Sequence, residues 1–186
     1  MYVKILSSIL LTLLAATSLA QSQFTSAYVD LVDERGNISL PEKFQQNWTF
    51  LGSWAIDNSD AGQNGAAGFH NVYTQPGVVD YFNQNGSFPD GAMVIKELLA
   101  SETGSMTTGT VSHVTEVEGW FVMVKDAQGR FNSNPLWGDG WGWALFNADQ
   151  PETTVSTDYQ SDCLSCHIPA QQDDWIYLRG YPLLLD

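Results

Sequence analysis

The sequence predicts one β-rich domain with a few short helices. Three observations lead to this expectation. The length that remains after an N-terminal leader suits a single domain, and short apolar runs rich in β-branched and aromatic residues recur along the chain. Loops rich in Gly, Asn and Asp separate these runs. No internal repeat or low-complexity tract interrupts the pattern, so we expect residues 21–186 to fold as one unit.

Residues 1–20 have the features of a secretory signal peptide. Met1 to Lys4 is a short positive start, Ile5 to Ala16 is apolar apart from small hydroxyl residues, and Ser18-Leu19-Ala20 is a small-x-small cleavage site. The apolar run is too short to remain in a bilayer as a spanning helix. We therefore expect a mature domain of residues 21–186, exported to the periplasm and without membrane contact after the signal is removed.

The first half of the chain is predicted to contain two strands and short helices. Apolar residues of high β-propensity predict the strands, and a Pro at the first position is typical of a helix start. The predicted elements are a short helix or extended arm at residues 24–33, a helix start at 40–44, strands at 48–56 and 69–74, and a helix at 76–83. Residues 57–68, rich in Asn, Asp, Gly and Ala, are predicted to form a loop.

The second half is predicted to complete the sheet. The predicted strands cover residues 92–100, 111–117, 119–125 and 141–146. Both faces of the strand at 119–125 are largely apolar, which predicts a central position. Gly142 and Ala144 are small enough for a flat group to lie close to the backbone, although core packing is the default explanation for the tryptophans beside them.

Lys96 lies within the strand at 92–100, which is predicted to be deeply buried. Side chains alternate between the faces of a strand, so Lys96 shares a face with Val94 and Leu98, and Glu97 shares the other with Ile95 and Leu99. The simpler interpretation is an edge lysine that reaches water or pairs with a carboxylate. The alternative is a lysine that enters a pocket, where desolvation would lower its pKa and expose a nucleophilic amine. From the residues alone, the solvated lysine is favoured.

The stretch Cys163-Leu164-Ser165-Cys166-His167 indicates covalent attachment of a c-type haem. Both thiols can add to the haem vinyl groups, and the adjacent imidazole can reach the iron. A zinc site would need a fourth ligand, and a disulfide closing so short a loop would gain little. A redox Cys-x-x-Cys motif normally lies early in a βαβ unit. Aromatic residues make up 12% of the chain, which is enough bulk to enclose a large planar cofactor.

A second axial ligand would have to come from upstream of the motif. Residues 168–186 contain neither Met nor His. The upstream candidates for such a ligand are Met93, Met106, Met123, His70 and His113. In small electron-carrier cytochromes c, a methionine follows the haem motif, so this order disfavours simple electron transfer. We expect a five-coordinate iron with an open distal side.

The charge of the chain limits its partners. The formal net charge is −14, and removal of Lys4 with the signal changes it to −15. This charge disfavours nucleic acid as a partner, because its binding depends on Lys and Arg to neutralise phosphates. Such a surface favours small neutral or cationic substrates and basic redox partners, and solubility explains it equally well.

Three segments upstream of the haem motif form a distinctive set. They are Phe69-His70-Asn71-Val72-Tyr73, the segment from Phe88 to Leu98 that contains Lys96, and Val124-Lys125-Asp126. Combined with secretion and a C-terminal haem motif, they resemble the cytochrome P-460 family. The resemblance runs from about residue 28 to 182 and is most specific around Lys96. It implies an α+β fold, mainly one antiparallel β-sheet with a few short helices, in a single cytochrome P-460-like domain that forms a homodimer. It also implies that His167 is the proximal ligand and that Lys96 is covalently bonded to the porphyrin edge.

The resemblance further implies oxidation of hydroxylamine to nitrogen oxides, with electrons passed to a periplasmic acceptor. This sequence departs from the pattern of hydroxylamine-oxidising members at two positions. Phe121 replaces a carboxylate, and His70 replaces an arginine. His70 titrates in the useful range and can replace the missing base, or it is an ordinary strand histidine. An apolar wall at Phe121 favours capture of nitric oxide or another diatomic gas, as in the related cytochromes c prime beta, which lack the lysine. Lys96 favours the enzyme.

Overall fold

An antiparallel sheet runs through the centre of the protein. The computed structural model describes residues 28–59 and 64–184. The strands are β1 (Thr49–Asp57), β2 (Ala66–Thr74), β3 (Met93–Met106), β4 (Gly109–Lys125), β5 (Trp137–Gly138) and β6 (Trp141–Asn147). Their order across the sheet is β1-β2-β3-β4-β6-β5, and each neighbouring pair is antiparallel. The predicted α+β class with a mainly antiparallel sheet is confirmed. The predicted signal peptide lies outside the described residues.

The helices are short, as predicted. They are α1 (Phe44–Asn47), α2 (Val78–Asn85) and α3 (Ser165–His167), a π-helical turn at Gln160–Leu164, and 3₁₀ turns at Ile168–Asp173, Leu178–Gly180 and Pro182–Leu184. Residues 28–31 are also helical. No helix within the described ranges is long and apolar enough to cross a membrane.

Each face of the sheet is covered by a different end of the chain. The N-terminal face carries Met93, Ile95, Val122 and Phe146 and packs against the segment 28–48. The opposite face packs against α2 and the segment 160–184, and we call it the cavity face. Its buried side chains include Val72, Val94, Met123, Trp141 and Trp143. Because adjacent residues of a strand point to opposite faces, strands covered on both sides are apolar throughout.

The two strands predicted at residues 111–117 and 119–125 form the single strand β4, which corrects the prediction of two strands. Gly119 does not end a strand. A Cβ at this position would collide with the carbonyl oxygen of Phe146 on β6, so the glycine permits close pairing of the two strands. Strand β4 lies between β3 and β6, which confirms its predicted central position.

The flat group that lies against Gly142 is the indole of Trp137. A Cβ at Gly142 would come within 2.7 Å of this ring, and Trp137 belongs to the core of the N-terminal face. The Trp137 Nε1 donates a hydrogen bond to the Gly36 carbonyl over 2.8 Å. The small size of Gly142 therefore allows core packing of the Trp137 indole, which agrees with the default interpretation from the sequence.

Candidate functional site

A cavity of about 270 Å³ lies between the cavity face of the sheet and the C-terminal segment. The sheet contributes mostly apolar side chains to its wall, and the C-terminal segment contributes the Cys-x-x-Cys-His motif. The lining residues are Val72, Val94, Lys96, Phe121, Val122, Met123, Trp143, Ala144, Asp162, Cys163, Cys166, His167, Ile176, Tyr177 and Tyr181. The cavity thus brings together Lys96, Phe121 and the three motif residues.

Helical backbone places the motif residues on one side of their segment. Residues three and four apart are neighbours on a helix surface, and Cys163, Cys166 and His167 have this spacing along the π-helical turn and α3. All three line the cavity. Cys163 is buried, Cys166 is exposed, and both thiols are free. Two free thiols and an imidazole therefore border the same space.

The imidazole of His167 has a defined tautomer. Its Nδ1 lies 2.7 Å from the carbonyl oxygen of Trp175. Because that oxygen can only accept, Nδ1 must donate, which leaves Nε2 with the free lone pair. Burial lowers the pKa of His167, partly opposed by the Trp175 hydrogen bond. The ring is therefore held neutral, the form in which histidine binds a metal.

Lys96 lies in the middle of the sheet. Strand β3 pairs with β2 and β4 on its two sides, and Lys96 is opposite Val72 and Phe121. The edge position considered from the sequence is therefore wrong. The Lys96 Nζ lies 4.5 Å from the centre of the Phe121 ring. Burial lowers the pKa of Lys96, and the nearby Cys166 and Cys163 partly oppose this shift.

His70 lies beside the cavity but does not line it. It follows the alternation of β2 onto the same face as Val72, and it pairs with Leu98 of β3. The side chain is partly buried. Burial lowers the pKa of His70, and the charge of Lys96 lowers it further. The structure therefore brings His70 near Lys96, whereas Phe121 forms part of the cavity wall.

One of the five upstream candidates for a second axial ligand lines the cavity. Met123 does so, whereas Met93 is buried in the core of the N-terminal face. Met106 and His113 are exposed on the hairpin that joins β3 and β4. The open distal side remains a prediction.

Three aromatic residues beside the motif were missed by sequence reasoning. Trp143 packs edge-on against the His167 ring, with 4.9 Å between ring centres. The Trp175 carbonyl binds His167 Nδ1, and the Tyr177 hydroxyl donates to the Cys166 carbonyl over 2.5 Å. The close sequence spacing of Trp175 and Tyr177 after the motif was the available signal.

These residues fit a covalently held haem. Both thiols and the imidazole border one apolar space, and the imidazole is neutral and oriented by a backbone carbonyl. A hydrogen bond from one ring nitrogen to a backbone carbonyl is typical of histidines whose other ring nitrogen binds a metal. Fold and site together define a β-sheet haem protein whose cofactor motif follows the sheet in the chain.

The comparison with protein families identifies the class more closely. The family model for cytochrome P460 matches residues 41–178. The chain belongs to the cytochrome P460 family, and this membership implies haem and iron as its cofactor. A search among curated proteins returned no match.

Proposed function

We propose that this protein is an exported haem c enzyme that oxidises hydroxylamine to nitrogen oxides. Cys163 and Cys166 would form the thioether bonds, His167 would bind the iron, and Lys96 would bond to the porphyrin edge. Electrons would pass to a periplasmic acceptor. We further propose that the enzyme acts as a homodimer, as the resemblance to its family implies.

The placement of Lys96 is the observation that carries the proposal. Its amine borders the same cavity as both thiols, which is the requirement for a third covalent link to one porphyrin. Burial lowers the pKa of Lys96, so a larger fraction of the amine is neutral and nucleophilic. A solvated lysine on an edge strand would neither border this cavity nor have its pKa lowered by burial.

The side chains around the cavity have separate roles in the proposed reaction. Bound haem would supply an iron that takes up the electrons released by hydroxylamine. His70, held neutral by its lowered pKa, would accept a proton as general base, directly or through water. Phe121 cannot accept a proton, and its ring covers the wall beside Lys96. We therefore assign the base to His70 and the exclusion of water to Phe121.

Gas binding is the second candidate function, and the wall at Phe121 is the observation that favours it. Phe121, Met123 and Val94 give the sheet side of the cavity an apolar surface. Such a surface suits nitric oxide or another uncharged diatomic gas better than it suits proton transfer. In this alternative the protein would hold the gas on iron without turnover.

The Lys96 link can be tested by absorption spectroscopy of the purified ferrous protein. A bond between Lys96 and the macrocycle perturbs its conjugation, so the main band of wild type is expected far to the red of an ordinary c-type spectrum. Lys96→Ala is expected to restore the ordinary position. Lys43→Asn, which removes an exposed lysine at a left-handed position, should leave the band unchanged. An ordinary spectrum for wild type would refute the link.

Enzyme and gas binder are distinguished by hydroxylamine-dependent reduction of a dye acceptor. Wild type is expected to turn over, and His70→Ala to be slower by about 100-fold or more, the usual contribution of a general base. His113→Ala is the matched control because His113 is exposed on the β3–β4 hairpin. Equal rates for wild type and His70→Ala would remove His70 from the mechanism. Absence of turnover in wild type, together with nitric oxide binding, would establish the alternative.

A further inference from the structure

Lys125 belongs to the Val124-Lys125-Asp126 segment, and the proposed function gives it no role. Its side chain is only 13% exposed. The Lys125 Nζ lies 2.6 and 2.8 Å from the two carboxylate oxygens of Asp174 and 4.8 Å from the centre of the Trp141 ring. The Trp141 Nε1 donates to the same carboxylate over 3.2 Å. The end of the sheet is thus bound to the C-terminal segment through one carboxylate.

Asp174 and Trp175 form a turn with unfavourable backbone. Their φ angles are 56° and 67°, in the left-handed region that non-glycine residues rarely adopt. Such residues persist where their surroundings fix them. The Trp175 indole is buried and packs edge-on against Trp143, with 6.4 Å between ring centres. The turn is therefore fixed at Asp174 by the ion pair with Lys125 and at Trp175 by burial of the indole.

The direction of the Trp175 carbonyl is the consequence of this turn. That carbonyl accepts the hydrogen bond from His167 Nδ1 at 2.7 Å. A well-aligned acceptor at Nδ1 increases the basicity of the imidazole and makes its other nitrogen a stronger metal ligand. A turn that relaxed away from the left-handed region would move the carbonyl and weaken this hydrogen bond.

We propose that Lys125 and Asp174 are positioning residues that hold the Trp175 carbonyl against His167 and so set the donor strength of the His167 imidazole toward the iron that it would bind. The inference rests on the proposed role of His167 as the iron ligand. Neither Lys125 nor Asp174 lines the cavity. Loss of the pair is therefore expected to change the iron–histidine bond while the cavity wall stays intact.

Resonance Raman spectroscopy of the ferrous haem-loaded protein tests this inference through the iron–histidine stretching frequency. Lys125→Met and Asp174→Asn are expected to lower that frequency and to raise the haem reduction potential, because a weaker hydrogen bond makes histidine a weaker donor. Lys125→Arg keeps the ion pair and should restore both values. Asp90→Asn is the matched control, since it breaks a partly buried ion pair with Arg130 that does not involve residues 174–175.

The outcomes separate this inference from the proposed coordination. A wild type without an iron–histidine band would refute His167 as the ligand. With that band present, an unchanged frequency in Lys125→Met and Asp174→Asn would overturn the positioning role. If Lys125→Met yields no haem-loaded protein, Asp174→Asn decides alone, because asparagine tolerates left-handed backbone and keeps the shape of the side chain.

Discussion

At the scale of single residues, burial keeps the two imidazoles near the cavity neutral. Burial is the main cause of the lowered pKa of both His70 and His167, and the charge of Lys96 lowers each further. For His167 a neutral ring is required for metal binding. For His70 it is required for the proposed role as a base that accepts a proton. Burial beside one cavity therefore suits the proposed roles of both histidines.

The lowered pKa of His70 predicts how stability changes with pH. The folded state disfavours protonated His70, so unfolding takes up a proton once the pH falls below the unfolded value of 6.5. The free energy of unfolding should therefore decrease as the pH is lowered through this range. His70→Ala should lose less stability than wild type between about pH 7.5 and about pH 5.5.

Urea denaturation of the haem-loaded protein at both pH values measures this difference. His113→Ala serves as the control, because it removes an exposed histidine and should follow wild type. An identical pH dependence for wild type and His70→Ala would contradict the lowered pKa of His70.

At the scale of elements, the turn that follows β4 is fixed by a cluster of charges. Asp126 is 4% exposed, and its carboxylate accepts hydrogen bonds from the Arg130 backbone N–H and from Arg130 Nη1, each over 2.7 Å. Arg130 also pairs with Asp90 and lies over the Tyr28 ring. The Val124-Lys125-Asp126 segment therefore provides two anchors, one toward residues 174–175 and one toward this turn.

Asp126→Ala is expected to lower the free energy of unfolding by about 1–3 kcal/mol, because it leaves the Arg130 backbone N–H without its partner and removes one of the two carboxylates that bind the guanidinium. The lower part of this range reflects the partial exposure of Arg130. Chemical denaturation of the holoprotein measures the change. Asp149→Ala, at an exposed carboxylate, should cost almost nothing, and an equal loss in both variants would contradict the role of Asp126.

Alanine substitution should have different effects on stability at Gly142 in β6 and at Gly104 in β3. Gly142→Ala should lower the free energy of unfolding by about 1–3 kcal/mol, the usual cost of overpacking, because the new Cβ would press on the Trp137 indole at 2.7 Å. Gly104→Ala, in β3, places its Cβ in open space and should be nearly neutral. Thermal unfolding of both variants measures the difference. If Trp137 packs against Gly142, Gly104→Ala must be the more stable variant.

At the scale of the whole molecule, net negative charge should act on the choice of the proposed electron acceptor. The chain carries 21 acidic against seven basic residues, and long-range attraction between opposite charges accelerates encounter. With hydroxylamine as donor, reduction of a cationic acceptor should slow as ionic strength rises, whereas reduction of an anionic acceptor should accelerate. Steady-state rates at low and high salt measure both trends, and a common trend for both acceptors would exclude steering by net charge.

The sequence was sufficient to predict local features and insufficient to predict most contacts. The alternation of β3 placed Lys96 on the face it occupies, but the sheet order was needed to show that Lys96 is central. Gly119 was predicted to separate two strands. Its actual role is to permit close pairing with Phe146, and this role could not be predicted because Phe146 lies on a strand that is distant in sequence. The Cys-x-x-Cys-His spacing identified three of the residues that line the cavity, whereas the hydrogen bond from His167 to the Trp175 carbonyl depends on a backbone conformation that no motif encodes.

The order of the chain has a consequence for biogenesis. Every strand that the structure describes precedes Gln160, whereas the thiols and the imidazole lie in the segment laid over the finished sheet. The sheet can therefore form before this C-terminal segment is in place. For the proposed haem attachment, the attaching enzymes would need access only to this segment, and packing of the segment against the sheet would enclose the haem in the last step of folding.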